Sequence, residues 1–262
     1  MIYLNGNLFE FPTFPDGTTA FKVDVSSEDY HVITWKYDGD HECMLVYFLV
    51  NHIRSARGDA KICLELPYIP NARMDRVKSD NDVFTLKWFA KFINDLNFTH
   101  VDVLDPHSNV ATALIDRVNV ESPKYYIQSA ISRIDGGDGY LLCFPDEGAA
   151  KRYSDLLKKP YVFGIKHRDW NSGKIESLEL TRPEMVNGQN VLIVDDICSR
   201  GGTFTAMAKA LRKAGAQDIC LYVSHCENNI FNGTILTDGL ISHVYTTGSI
   251  YRGDNPCITV IE

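Results

Sequence analysis

A chain of 262 residues, 45% of them hydrophobic and 23% charged, has the composition of a globular protein of one large or two modest domains, and no run approaches the ~18 apolar residues of a membrane span. Lys and Arg number 26 against 34 Asp and Glu, a formal charge of −8, which argues against a broad basic face for nucleic acid and leaves any anionic ligand to a few local cations and backbone amides. The seven cysteines lie mostly in apolar runs, include no CxxC pair and read as reduced core residues, and the first residues show no signal peptide. Small-molecule partners, no membrane and a cytoplasmic location are therefore expected.

Short apolar, β-rich runs at residues 20–25, 31–37, 60–66, 100–104, 140–144, 161–165, 190–194, 219–223 and 243–246 predict nine strands. Between them, residues 84–96 place Leu86, Phe89, Ile93 and Leu96 on one helical face, and residues 203–214 form a second helix that Gly215 closes. Strands alternating with helices predict an α/β fold: two domains, each with a mainly parallel sheet flanked by helices, and ligands beyond the carboxyl ends of the strands. Asp135-Gly-Gly-Asp-Gly139 is the strongest turn signal in mid-chain, and the domains are assigned to residues 1–125 and 126–262.

The sharpest chemical signal is Asn190-Val-Leu-Ile-Val-Asp-Asp-Ile-Cys-Ser-Arg-Gly-Gly-Thr203, a buried strand ending in two acids, then a glycine loop, then a helix start. Asp195 and Asp196 suit the vicinal hydroxyls of a ribose, while Gly201 and Gly202 let backbone N–H groups close around a phosphate at a helix N-terminus. An acidic metal pair or a plain βα turn is the alternative. Arg73 and Arg76 flank Asp75 just past the strand at 60–66, so both guanidinium groups can grip polyphosphate oxygens with Asp75 steadying one of them; a surface ion-pair cluster is the plainer reading. No Walker A motif and no GxGxxG occurs. His107, after Asp105, can ligate a divalent ion or hold a phosphate oxygen, and Asp146, after the strand at 140–144, can meet a metal through water. Lys166 and Arg168 leave the strand at 161–165 on the same side of an extended segment. They lead into a polar stretch, 169–180, that reads as a lid over phosphates or as a solvated loop.

The acid-pair segment resembles the ribose-phosphate loop of the type I phosphoribosyltransferase fold. Leu66-Pro-Tyr-Ile-Pro-Asn-Ala-Arg-Met-Asp-Arg76 resembles the Pro-Tyr…Ala-Arg-x-Asp-Arg motif of the ribose-phosphate pyrophosphokinases, the phosphoribosyl pyrophosphate (PRPP) synthetases. The similarity runs in the same order over most of the chain: Val103-Leu-Asp-Pro-His-Ser108 is like the family's metal segment, Phe144-Pro-Asp-Glu-Gly148 like another of its motifs, and Ile165-Lys-His-Arg168 like its catalytic Lys-x-Arg. Phe14-Pro-Asp-Gly17 resembles a segment whose aromatic and acid reach a neighbouring subunit's adenine, and Ser224-His225 resembles a Thr-His near the family's end.

The resemblance implies transfer of the diphosphoryl group of ATP to the anomeric hydroxyl of ribose 5-phosphate, giving PRPP and AMP, with Mg²⁺ required. It assigns the nucleotide to Arg73, Asp75, Arg76, His107, Phe14 and Asp16, and the metal to His107 and Asp146. Asp195 and Asp196 take the ribose diol, Ser199, Arg200, Gly201, Gly202 and Thr203 the 5-phosphate, and Lys166 and Arg168 catalysis, in an enzyme at least dimeric. In the loop, Ser199 replaces the usual acid and Arg200 the usual threonine, making it more positive by roughly two charges. That favours a larger acceptor such as ADP-ribose beside ribose 5-phosphate. A PRPP-using phosphoribosyltransferase and a non-catalytic regulatory subunit are the alternatives.

Overall fold

The computed structural model describes residues 1–20, 22–25, 28–134, 139–168 and 175–262, the side chains of 166–168 and 175–177 apart. It divides into two compact units, Met1–Glu121 and Ser122–Glu262.

The first unit is built on β1 (Ile2–Leu4), β2 (Asn7–Leu8), β3 (Tyr30–Trp35), β4 (Lys61–Glu65), β5 (Val101–Leu104) and β6 (Val118–Glu121), in the spatial order β2-β1-β3-β4-β5-β6. Strands β3 to β6 are parallel, and β1 runs antiparallel to both β2 and β3. Helices α1 (Glu42–Ala56), α2 (Thr85–Asp95) and α3 (Asn109–Leu114) make the crossovers. The three central residues of β4, Ile62, Cys63 and Leu64, are all buried, as a strand covered on both faces requires. Helix α2 buries Leu86, Phe89, Ala90 and Ile93, the i, i+3, i+4, i+7 stripe. Phe89 meets the fully buried Trp35 at 5.9 Å between ring centroids, and the indole donates to the buried carboxylate of Glu42 at 2.7 Å.

The second unit holds β7 (Tyr140–Phe144), β8 (Tyr161–Arg168), β9 (Ile175–Leu180), β10 (Asn190–Cys198), β11 (Ile219–Cys226), β12 (His243–Thr247) and β13 (Ile258–Ile261), with α4 (Lys124–Arg133), α5 (Glu147–Leu157) and α6 (Gly202–Lys213). The sheet order is β13-β12-β11-β10-β7-β8-β9, parallel except for the β8–β9 pair. Alternate residues of β10 feed two separate cores, Val191 and Ile193 on one face and Leu192 and Val194 on the other. Helix α6 ends as Gly215 demands: Gly215 has φ +94°, its N–H donates to Arg212, and the N–H of Ala216 reaches back to Leu211, both at 3.0 Å. From β7 the chain moves to β8 on one side and later returns to β10 on the other, so the strand order reverses between β7 and β10. In an open parallel sheet, ligands bind outside the carboxyl ends of the strands at such a reversal.

The α/β class and the parallel sheets agree with the sequence reading, and two expectations need correction. The described residues of 20–25 form no strand: the carbonyl of Val23 accepts from His52 Nε2 at 3.1 Å in place of a ladder, while Val23 and Val25 lie partly buried against the core. The polar stretch 169–180 is not all loop, because 175–180 is β9, pairing with β8 and packing Leu178 and Leu180 on the core; residues 169–174 lie outside the described residues. Strands β1, β2, β6, β9 and β13 were not foreseen, each too short or too polar to show a period of two on its own. The observed division precedes α4, whose first two residues the sequence reading gave to the N-terminal domain. All seven cysteines are free, five of them buried and Cys43 and Cys257 half-buried. Among the described residues no helix is long and apolar enough to cross a membrane.

Candidate active site

In the first unit the predicted residues gather past β4 and β5. Backbone pairing continues beyond β4, with Leu66 N–H donating to Asp102 at 2.8 Å and Leu104 N–H to Pro67 at 3.1 Å, and this fixes the start of the Pro67–Arg76 segment. Ile69 and Ala72 then bury themselves and leave Arg73 and Arg76 at the surface. Asp75, 9% exposed, accepts from Arg76 Nε at 2.7 Å and Nη2 at 3.1 Å, a two-pronged grip that sets the guanidinium plane. The Arg76 hydrogen bonds, with a further one from Ser108 and the neighbouring charge of His107, hold the Asp75 carboxyl below the usual carboxylate range. The arginine segment and the His107 segment are therefore one cluster. Ser108 also caps α3, its Oγ accepting from Val110 N–H at 3.0 Å.

Phe14 and Asp16 sit on a tight turn of the same unit, closed by hydrogen bonds from Phe14 N–H to Thr18 and from Gly17 N–H to Phe14. Thr18 donates to Asp16 through its N–H (2.9 Å) and hydroxyl (2.7 Å), which lowers the Asp16 carboxyl pKa. Phe14 is 56% exposed at the tip.

In the second unit the carboxyl ends of β7 and β10 carry the acids. Asp146 follows β7 and caps α5, its Oδ1 accepting from Ala149 N–H at 3.1 Å. Asp195 and Asp196 lie near the carboxyl end of β10, which does not stop at the acids as the sequence pattern predicts but runs on through Ile197 and Cys198, still paired with β11. Burial, then the charge of Asp196, and more weakly that of Asp146, push the Asp195 carboxyl well above the usual range, so two further carboxylates lie within electrostatic reach of Asp195. Asp196 is 3% exposed and pairs with Arg152 of α5, Nη1 to Oδ2 at 3.2 Å.

The loop that follows is held from behind. Asn229 Nδ2 donates to Ser199 Oγ at 2.9 Å and Glu227 N–H to Cys198 at 2.8 Å. Gly201 is the N-cap of α6 at φ +79°, a conformation that favours glycine. A Cβ on Gly233 would stand 1.9 Å from the Arg200 carbonyl oxygen, so Gly233 is the floor of this loop. Arg200 and Gly202 are exposed, and Thr203 is half-buried in the first turn of α6. The chain path thus presents a glycine loop and a helix N-terminus next to an acid pair, the arrangement that suits a sugar phosphate. Lys166 and Arg168 are the partners of Leu178 and Ile175 in the β8–β9 ladder, and their side chains lie outside the description. Among the described residues no group of three or more His, Cys, Asp or Glu is arranged to hold a metal ion.

The chain is 28% identical over 229 residues to the ribose-phosphate pyrophosphokinase of Pyrococcus abyssi, spanning 84% of this chain and 78% of that one. It is 24% identical over 262 residues to that of Sulfurisphaera tokodaii, spanning 97% and 88%. The chain is a homologue of the ribose-phosphate pyrophosphokinases. Residues 141–230 match the phosphoribosyl transferase domain model, which takes in β7 to β11 and with them the acid pair and its loop. The fold of phosphoribosylpyrophosphate synthetase from Mycobacterium smegmatis superposes with a TM-score of 0.76 at 18% identity, covering 96% of this chain and 85% of that one.

Four residues of this pyrophosphokinase homologue escaped sequence reading: Arg152, Asn229, Gly233 and Ile235. Arg152 was one cation on an amphipathic helix. Gly233 has extended φ, and only the approach of the Arg200 carbonyl makes it necessary. Ile235 is an ordinary core residue that also closes on Gly201.

Proposed function

We propose that the chain transfers the β,γ-diphosphoryl group of ATP to the anomeric hydroxyl of ribose 5-phosphate, releasing AMP. Homology over most of the chain supports a diphosphokinase-type transferase. The observation that carries the site is the acid pair and glycine loop at the strand-order reversal. In this reading the Asp195 and Asp196 end of β10 takes the sugar diol, and residues 199–203 take the 5-phosphate. Arg73 and Arg76 hold the polyphosphate, Asp75 orienting Arg76 and His107 meeting a phosphate oxygen. Lys166 and Arg168 meet charge that develops on the transferred group, the usual task of cations in phosphoryl transfer.

Mg²⁺ fits these donors, because it binds through one or two carboxylates together with substrate phosphates and keeps several waters. Asp146 is the carboxylate this reading assigns to it, through water. Bound there, the ion supplies charge neutralisation across the phosphates. Phe14, exposed on its turn, and Asp16 are assigned to the nucleotide of a neighbouring copy, and a cytoplasmic location belongs to the same reading.

Ribose 5-phosphate is the acceptor that the relatives' names support. The larger acceptor rests on Ser199 and Arg200 in the loop, and the exposed Arg200 side chain is compatible with either acceptor. Mixing the protein with ATP, Mg²⁺ and each acceptor in turn decides the matter. AMP formed with ribose 5-phosphate is the expected result. No AMP with either acceptor, joined to PRPP consumption in the presence of a nucleobase, points to a phosphoribosyltransferase, and neither activity to a regulatory subunit.

A further inference from the structure

Asp195 and Asp196 are consecutive on β10 and their carboxyls lie within hydrogen-bonding reach of each other, yet their surroundings differ, Asp195 being half-buried and Asp196 buried against Arg152. The two acids are therefore not equivalent. Asp196 faces the layer that contains α5: its side chain is 4% exposed, and its Oδ2 lies 3.2 Å from Arg152 Nη1. Arg152 is itself confined. Its guanidinium lies 5.7 Å from the ring centroid of Tyr153, a fully buried residue whose ring stacks on Phe144 at 6.1 Å. Phe144 is the last residue of β7, and Asp146, two residues on, caps the helix that carries Arg152. One helix thus ties the ends of β7 and β10 together on either side of the strand-order reversal. A buried carboxylate held this way keeps its place, and a planar guanidinium fixes it better than a flexible ammonium group.

We propose that Arg152 is a positioning residue of the acceptor site, which locks Asp196 against α5 and leaves Asp195 as the carboxylate that the sugar hydroxyls meet. This inference rests on the function proposed above. It divides the acid pair by role: Asp195 binds, while Asp196 and Arg152 hold the strand end that presents it.

The test is steady-state AMP formation by the full chain, varying ribose 5-phosphate and ATP separately, with wild type, Arg152→Gln, Arg152→Lys, Asp196→Asn and the double variant Arg152→Gln/Asp196→Asn. Arg152→Gln is expected to raise the acceptor KM about tenfold while the ATP KM moves less than about twofold, the mark of a lost acceptor contact. Arg152→Lys should recover most of that loss. The double variant should resemble the single ones, because both residues act through one contact and their effects do not add. An acceptor KM unchanged in Arg152→Gln, equal rises in both KM values, or losses that multiply in the double variant would each overturn the inference while leaving the function intact. Wild type that makes no AMP overturns the function and this inference with it. Should Arg152→Gln fail to fold, the double variant, which removes both partners of this contact, and Arg152→Lys carry the same comparison.

Discussion

Replacing Gly233 by alanine tests whether the loop 199–203, proposed above to take the 5-phosphate, is held in one place from behind. The added Cβ would stand 1.9 Å from the Arg200 carbonyl oxygen and 2.8 Å from its carbonyl carbon, whereas an ordinary carbon–oxygen contact begins at about 3.3 Å. The backbone of one side or the other must therefore withdraw by about 1.4 Å, the difference of those distances. Gly233 closes the 3₁₀ turn Asn228–Asn232, and Asn229 in that turn is bonded to Ser199, so the strain falls on the loop from two directions. Overpacking of this kind costs about 1–3 kcal/mol, and at roughly 2–4 °C per kcal/mol the melting temperature should fall by several degrees. Since a displacement near 1 Å in a positioning element costs on the order of 10² in rate, kcat/KM for ribose 5-phosphate should drop by about that factor, with ATP binding measured by calorimetry little changed. Gly202→Ala is the control: nothing lies within 4 Å of its Cβ, so its melting temperature should match wild type while the acceptor KM rises through crowding of the ligand alone. A Gly233→Ala protein with wild-type melting and wild-type acceptor kinetics would refute the account of the loop.

Asp195→Asn should weaken acceptor binding more than ATP binding, and should also raise the melting temperature at neutral pH. The Asp195 carboxyl is pushed above its ordinary value by burial and by Asp196 and Asp146, so its charge opposes folding above the raised pKa, and this cost disappears as pH falls toward the unfolded value of about 3.9. Melting curves of both proteins should therefore converge in acid, and a gap that widened there would contradict the assignment. Lys166→Ala should remove turnover while ATP affinity by calorimetry stays within a few fold, as for a charge needed when the group moves; near-normal rates would end the catalytic assignment. Phe14→Ala should raise the ATP KM of an enzyme that light scattering finds at least dimeric, and a fully active monomer would remove that role.

What was legible in the sequence was local. The strand of β10 announced itself as a run of apolar residues stopped by two acids, and the helix α6 by its periodicity and by Gly215, whose left-handed φ only glycine adopts cheaply. The motif residues around Arg73, His107, Asp146 and Asp195 lie at strand ends because each follows an apolar run, a pattern read without knowing what packs beside it. Tertiary structure alone decided which of those residues act together and how they are held. Asp75 and His107 share one cluster because β4 and β5 are neighbours, although 32 positions separate them along the chain. Short edge strands such as β6 and β13 exist because a neighbour offers its ladder, which no window of four residues encodes. The same holds for Gly233 and Arg152: one is required by a carbonyl 33 residues earlier, the other by a carboxylate 44 residues later. Such needs arise from the packing of distant segments, and a single sequence records only the residue that satisfies them.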